Sequence, residues 1–288
     1  MSLVFHSPRS AEEAASLLAA DPTARPLVGG TDLIVQMRSG SAVPSAIVDL
    51  KRIPGLAEIR PHNGGFAIGA ATPCTALLKD PELCRAWPGV VEAANLIGSV
   101  QVRNRATMAG NLCNASPAAD SVPALVAAGA TCLVIGPDGE REVAARDIPT
   151  GPGKTSLKSG EFIAEIRLPP RPSGGADAYL RSIPRTEMDI AVVGAGVALQ
   201  VDADGVCTAA RIALGAVGPT VVLVEEAGAA LVGTRFEDSA LEDMVQKVRA
   251  ACRPIDDKRG PAAYRTAMAG VLARRVVSIA RERAGAEA

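Results

Sequence analysis

The sequence predicts a globular chain of mixed helices and strands organised in more than one unit, and three observations carry that prediction. First, stretches with helical and strand-like periodicity follow one another as far as Leu168, punctuated by Gly, Pro and Asn-Gly turns. Second, a Pro-rich break from Pro169 to Pro172 is the best domain boundary in the chain, and beyond it strands come first and helices follow. Third, the stretch Ile97 to Asp120 (IGSVQVRNRATMAGNLCNASPAAD) is rich in Gly, Asn, Ser and Thr and has almost no aliphatic run. It reads as a loop held between buried segments, one of which starts at Val122. The 288 residues are 48% hydrophobic and 21% charged, ordinary for a soluble protein with a large core. Aromatics are only 2%, so Ala, Val, Leu and Ile must fill that core.

Taken in order, Ser10 followed by Glu13 forms a capping box that opens a helix through Leu17 and Leu18, and Asp21-Pro22 closes it. RPLVGGTDLIVQMRSG predicts a short strand entering Gly29-Gly30, then a helix from near Thr31 with Leu33, Ile34 and Met37 on one face and Gly40 as its stop. Ala46 to Leu50 is a strand and Pro54-Gly55 a turn. Leu56 to Arg60 and Gly65 to Ala70 form a hairpin around His62-Asn63-Gly64. Helices are expected over Thr72 to Leu83, Pro88 to Ile97 and Ser121 to Ala128, and strands over Thr131 to Ile135 and Phe162 to Leu168, with Pro137-Asp138-Gly139 as a turn. Past the break, Ile190 to Val201 and Val206 to Leu214 are strands joined at Asp202-Ala203-Asp204-Gly205, and helices run over Glu237 to Cys252 and Pro261 to Arg283. The last helix places Met268, Val271, Leu272, Val276 and Ile279 on one stripe opposite arginines, the pattern of a helix packed on a sheet.

Two loops have the character of binding sites. At Val28 to Thr31 a strand feeds a glycine pair and then a helix, where free N–H groups favour an anion. At Thr107 to Asn111, small and polar side chains let a ligand lie against the main chain. A structural turn would explain either loop taken singly. Other classes are excluded. A net charge of −1 and no long basic cluster argue against nucleic acid. The N-terminus has no signal-peptide pattern, and no segment gives about eighteen unbroken apolar residues, so no membrane span and a cytoplasmic location are expected. The six cysteines have no C-x-x-C spacing, which argues against disulfides, zinc or a cluster on this chain. Gly153-Lys154-Thr155 ends like a P-loop, but Ile148 stands where the first glycine is required. Gly194-Ala195-Gly196 follows a strand like a dinucleotide fingerprint, but position 199 is Leu and a hairpin follows in place of a helix.

Together, V-G-G-T-D-L at Val28 to Leu33, A-T-M-A-G-N-L at Ala106 to Leu112 and S-P-A-A-D at Ser116 to Asp120 resemble the flavoprotein (medium) subunit of the molybdenum hydroxylases, the family of xanthine dehydrogenase and carbon monoxide dehydrogenase. The resemblance runs on, in the family's order, through Q-V-R-N at Gln101 to Asn104, R-T-E-M-D-I-A at Arg185 to Ala191, L-G-A-V at Leu214 to Val217 and R-G-P-A-A-Y-R at Arg259 to Arg265. It implies an α+β fold: a two-subdomain FAD-binding domain of the vanillyl-alcohol-oxidase/MurB-like type, then a smaller C-terminal α+β domain with a three-stranded sheet. The implied units are residues 1–55, 56–175 and 176–288.

The resemblance further implies non-covalent FAD, with its pyrophosphate on the main chain of Val28, Gly29, Gly30 and Thr31 and of Thr107, Met108, Ala109 and Gly110, and with Leu27, Asp32 and Leu33 also at the cofactor. Asn111, Cys113 and Ser116 would contact the cofactor, Asp120 would hold ribityl hydroxyls, and Ile163 and Arg181 would border the isoalloxazine. Near Leu180, where relatives often carry an aromatic residue, Tyr179 is adjacent. The implied activity is that of an oxidoreductase subunit. FAD would take electrons from a small subunit with [2Fe-2S] clusters and pass them to an external acceptor, while a large molybdopterin subunit hydroxylates the substrate. The expected assembly is a dimer of heterotrimers. G-G-T-D in place of the G-G-H-S usual in carbon monoxide dehydrogenases leans toward an organic substrate, an N-heteroaromatic compound or an aldehyde. A free-standing FAD oxidoreductase and a scaffold subunit without flavin are the alternatives.

Overall fold

The computed structural model describes residues 3–286. Its first unit is a parallel sheet of order β1-β3-β2, made of β1 (Val4–His6), β2 (Arg25–Leu27) and β3 (Ala46–Asp49). Parallel neighbours need crossovers, and helices α1 (Ala11–Ala20) and α2 (Leu33–Arg38) supply them. Ser10 Oγ accepts the Glu13 N–H at 3.2 Å and opens α1, while the Glu13 carboxylate reaches back to the Arg9 N–H at 3.0 Å. The edge strand β1 leaves Val4 and Phe5 exposed.

The second unit is an antiparallel sheet of order β4-β5-β10-β6-β7 with a cap of helices. β4 (Ile59–His62) and β5 (Gly65–Gly69) form the expected hairpin. Asn63 and Gly64 both take positive φ, 49° and 79°, as a tight hairpin turn with strand-matching twist requires. The helix expected over Thr72 to Leu83 is two helices, α3 (Cys74–Leu77) and α4 (Pro81–Ala86). The break has a local cause: Asp80 Oδ1 caps the Glu82 and Leu83 N–H groups, and Pro81 begins the new helix. After α5 (Pro88–Asn95), the stretch Ile97 to Asp120 is not one loop but carries two short helices, α6 (Val100–Arg103) and α7 (Met108–Cys113), each opened by a hydroxyl cap from Ser99 or Thr107. α8 (Ser121–Ala127) is wholly buried. β6 (Thr131–Gly136) continues through the predicted turn into β7 (Gly139–Ala144), a polar strand not anticipated. A small hairpin of β8 (Pro149–Gly151) and β9 (Lys154–Thr155), also unanticipated, leads to β10 (Phe162–Leu168).

The third unit corrects the expected three-stranded sheet: it has four strands in the order β11-β12-β13-β14. β11 (Gly175–Ser182), β12 (Val193–Val201) and β13 (Cys207–Gly215) are long, and β14 (Val222–Leu223) adds two residues opposite Ala213 and Leu214. β12 begins at Val193, three residues later than the apolar run suggested. Met188 sits at φ 54° and Ile190 is 49% exposed, so the start of that run belongs to a surface turn. α9 (Glu225–Ala229), α10 (Asp238–Ala251) and α11 (Ala262–Ala286) complete the unit. α11 does pack on the sheet, but through Ala269, Leu272, Ala273, Val276, Val277 and Ala280. Val271, expected on the buried stripe, is 36% exposed. Alanines bring the helix close to the strands, and a pattern scored on large side chains is rotated by that substitution of small for large.

α8 joins the second and third units. A Cβ on Gly196 would lie 2.8 Å from the Pro123 oxygen and one on Gly215 would lie 2.9 Å from the Pro123 ring, so glycines let β12 and β13 lie directly on this helix. Gly194-Ala195-Gly196 is thus a packing motif. Arg211 on β13 donates from Nε and Nη2 to the Ala127 and Val126 oxygens at 3.0 Å each and satisfies the C-terminal carbonyls of α8. The Pro-rich break is pinned as well: Trp87 donates to the Pro169 oxygen at 3.3 Å and stacks under Arg171, whose guanidinium lies 4.4 Å from the ring centre. Among the described residues, no helix is long and apolar enough to cross a membrane.

Candidate cofactor site

The two glycine loops meet. A Cβ on Gly29 would lie 2.2 Å from the main-chain oxygen of Arg105, so the first loop rests on the second with no room for a methyl group. Beside this contact opens a cavity of about 880 Å³, within the range of cofactor pockets. Gly29, Gly30, Thr31, Asp32 and Leu33 line it from one side, and Thr107, Ala109, Gly110 and Asn111 from the other. Gly30 has φ 76°, which swings the chain from β2 into α2.

What the loops present is main chain. Among the described residues, the N–H groups of Gly29 to Leu33 and of Thr107, Met108 and Ala109 have no protein partner, whereas the next donors are satisfied: Ile34 N–H bonds the Gly30 oxygen at 3.0 Å, and Gly110 N–H bonds Thr107 Oγ1 at 3.0 Å. Free donors on two facing segments suit a polyanion such as a pyrophosphate. Side chains in the cavity wall brace the arrangement. Gln36 donates to Asn114 Oδ1 at 2.9 Å, tying α2 to the end of α7, and Asn111 Oδ1 accepts from Ser121 N–H and Oγ at 3.2 and 2.8 Å, tying α7 to α8. Asp32 is exposed into the cavity, and desolvation by its surroundings raises its carboxyl above the ordinary value. Cys113 also lines the wall, its thiol pushed up to about 12 by burial, so it is inert there.

Of the residues expected at the cofactor, Leu27 to Leu33, Thr107, Ala109 to Asn111, Cys113 and Ile163 surround this one cavity. Four are not in its wall. Met108 turns its side chain into the core, 2% exposed. Ser116 accepts the Ala118 N–H at 3.3 Å in a local turn. Asp120 and Arg181 face each other instead: Arg181 Nη1 donates to Asp120 Oδ2 at 2.7 Å and Tyr179 Oη donates to Oδ1 at 3.3 Å. This cluster is buried and bridges the start of α8 to β11. Burial raises the Asp120 carboxyl, with Arg181 pulling it back down, and Arg181 Nε has no partner.

A further part of the wall had no counterpart in the sequence reading. Gly153, Thr155 and Leu157 to Phe162, from the β8–β9 hairpin and the turn that leads into β10, form another part of the cavity wall. The tripeptide that resembled a P-loop thus lies on a hairpin beside the cavity, its Gly153 N–H bonded to the Ala115 oxygen at 3.1 Å. Glu161 holds this turn. Its carboxylate accepts Arg141 Nε and Nη2, each at 2.8 Å, and the Lys158 N–H at 2.6 Å. Arg141 holds the Glu161 carboxyl below its ordinary value of 4.5. The stabilisation is therefore fully present above pH 4.5 and is lost as pH falls through the lower folded-state value. Glu161→Gln is expected to cost ~1 kcal/mol at pH 7. In urea unfolding, that difference should shrink toward zero as the pH is lowered through the folded-state value; a difference that stays constant with pH would contradict the ion pair's role.

Fold and cavity together define a class of protein in which two glycine loops turn unpartnered main-chain donors toward a cavity of cofactor size. Residues 1–171 match the family described as FAD binding domain in molybdopterin dehydrogenase, and residues 178–280 match the CO dehydrogenase flavoprotein C-terminal domain. The carbon monoxide dehydrogenase medium chain of Afipia carboxidovorans is 39% identical over 97% of both chains. A putative xanthine dehydrogenase FAD-binding subunit of Escherichia coli K12 is 31% identical over 98% of this chain and 97% of its own. Among solved structures, reconstituted CO dehydrogenase from Oligotropha carboxidovorans superposes with a TM-score of 0.94 at 38% identity, covering 98% of this chain and 99% of that one. The chain belongs to the FAD-binding medium subunits of the molybdenum hydroxylases, of the CO dehydrogenase and xanthine dehydrogenase type, and is an oxidoreductase subunit.

Proposed function

We propose that the chain binds one FAD non-covalently in the cavity between its two glycine loops and serves as the electron-transfer subunit of a molybdenum hydroxylase complex. The observation that carries this reading is the pair of facing loops with unpartnered N–H groups, packed so closely at Gly29 that no side chain fits. The N–H groups of Gly29 to Leu33 and of Thr107 to Ala109 would hold the pyrophosphate, and Asn111 and Ile163 would lie along the rest of the cofactor. FAD, when bound, supplies the redox chemistry, collecting electrons from a small iron-sulfur subunit and releasing them to an external acceptor. The chain's own residues bind, orient and shield, and no acid or base among them is required.

Substrate hydroxylation would fall to a large molybdopterin subunit. The relatives support that division, since one is named for a gas and another for a purine, yet both align with this chain along nearly its whole length. The substrate is therefore not written into this subunit, and the lean toward an organic compound rests on Gly-Gly-Thr-Asp alone. The same reading takes the fold as the two-subdomain FAD-binding type, with limits near residues 55 and 175. The change from parallel to antiparallel sheet between Asp49 and Ile59, and the start of β11 at Gly175, support those limits.

Isolation of the tagged chain from its own cells, with mass analysis of what accompanies it and of what heat releases, tests the proposal. FAD with one larger and one smaller chain is expected. The chain carrying FAD but no partner would favour a free-standing flavoprotein, and a colourless assembly would favour a scaffold.

A further inference from the structure

We propose that Lys51 is a positioning residue for the first glycine loop: from behind the loop it fixes the peptide unit between Val28 and Gly29, so that the Gly29 N–H is presented to the anion. The inference rests on the FAD reading of the cavity. Lys51 lies in the 3-10 turn Leu50–Arg52 that directly follows β3. The parallel register pairs Leu27 with Asp49, which brings the residues just beyond each strand end side by side. Lys51 Nζ donates to the Val28 oxygen at 3.3 Å and also to the Asp49 carboxylate. Asp49 accepts the Lys51 N–H as well, at 3.2 Å, and so holds both ends of the lysine.

A trans peptide is planar, with its C=O and its N–H pointing in opposite directions. A donor seated on the Val28 oxygen therefore turns the Gly29 N–H to the other side. Val28 and Gly29 line the cavity and Lys51 does not, so that other side is the ligand's side. The Gly29 N–H has no protein partner among the described residues, and Gly29 cannot drift because the Arg105 main chain blocks it. The Asp49 carboxylate partly neutralises the ammonium. Lys51 accordingly acts through the direction of a peptide more than through its charge.

The experiment compares wild type, Lys51→Met and Lys51→Arg, each stripped of flavin. FAD and ADP affinities are titrated at two salt concentrations, and the Gly29 amide is followed by 1H-15N NMR as inorganic pyrophosphate is added. Lys51→Met is expected to bind both FAD and ADP about tenfold more weakly, the loss of one oriented hydrogen bond. Its salt dependence should match wild type, its Gly29 amide should lose most of the pyrophosphate-induced shift, and Lys51→Arg should restore affinity to within about twofold. The proposal is overturned if Lys51→Met binds like wild type, if its Gly29 amide still shifts fully, or if Lys51→Arg is as weak as Lys51→Met. If wild type itself binds neither FAD nor ADP, the FAD reading of the cavity fails, and this inference fails with it.

Discussion

Replacing Asp120 by alanine is expected to lower the unfolding free energy by about 3 to 5 kcal/mol, the cost of leaving a buried charge without its partner. The Arg181 side chain is 4% exposed and that of Asp120 11%, so solvent screens the pair little. Arg181 Nε is already unpartnered, and with the carboxylate gone Nη1 and the Tyr179 hydroxyl lose their acceptor too. The site cannot expand to admit water easily, because a Cβ on Gly194 would come within 2.7 Å of the Tyr179 hydroxyl, which shows how closely β12 covers the ring. The double variant Asp120→Ala with Arg181→Met should recover most of the loss, since an apolar pair of similar bulk needs no partner. Urea unfolding of the single and double variants checks both statements, and a single variant within about 1 kcal/mol of wild type would show that the pair is not the buried link between α8 and β11. The same variant carries a second readout: a direct ribityl contact by Asp120 would cost about tenfold to a hundredfold in FAD affinity.

Gly29→Ala should have the largest effect on the cofactor. Its methyl would fall 2.2 Å from the Arg105 oxygen and 2.9 Å from the carbon behind it, and these are main-chain atoms that cannot rotate aside. The loops must part, at about 1 to 3 kcal/mol of overpacking. If that strain is relieved only by separating the two N–H arrays, FAD affinity falls by about tenfold to a hundredfold. Gly40→Ala is the control. Nothing lies within 4 Å of that position and its cost comes from φ 75° alone, so it should lower stability slightly and leave FAD affinity unchanged. Equal affinities for Gly29→Ala and wild type would mean that the contact between the loops does not shape the site.

The loops were legible because bare main chain has a compositional signature: Gly29-Gly30 after a strand, and Thr107, Ala109 and Gly110 around a single large residue, Met108, that turns into the core. Local caps at Ser10 and the hairpin at Asn63-Gly64 were legible for the same reason, since each is settled within a few residues. What escaped depends on distant partners. β7 is a polar strand that exists because β6 offers it a ladder, and β14 is two residues held by Ala213 and Leu214. The helices inside Ile97 to Asp120 were hidden because each is four to six residues long, too short to show a period. Asp120 and Arg181 were read as two separate contacts to a cofactor, and only the fold shows the hydrogen bond between them. Lys51 gave no signal at all, because its role lies in the register between β2 and β3.

The most direct test of the central claim is titration of the flavin-free chain with FAD, followed by visible absorption and by calorimetry, with ADP as competitor. One FAD per chain, removable by unfolding, displaced by ADP and weakened by Gly29→Ala but not by Gly40→Ala, is the predicted result. A folded chain that takes up no FAD, or one whose FAD binding ignores both ADP and Gly29→Ala, would contradict the assignment of the cofactor to the cavity between the two loops.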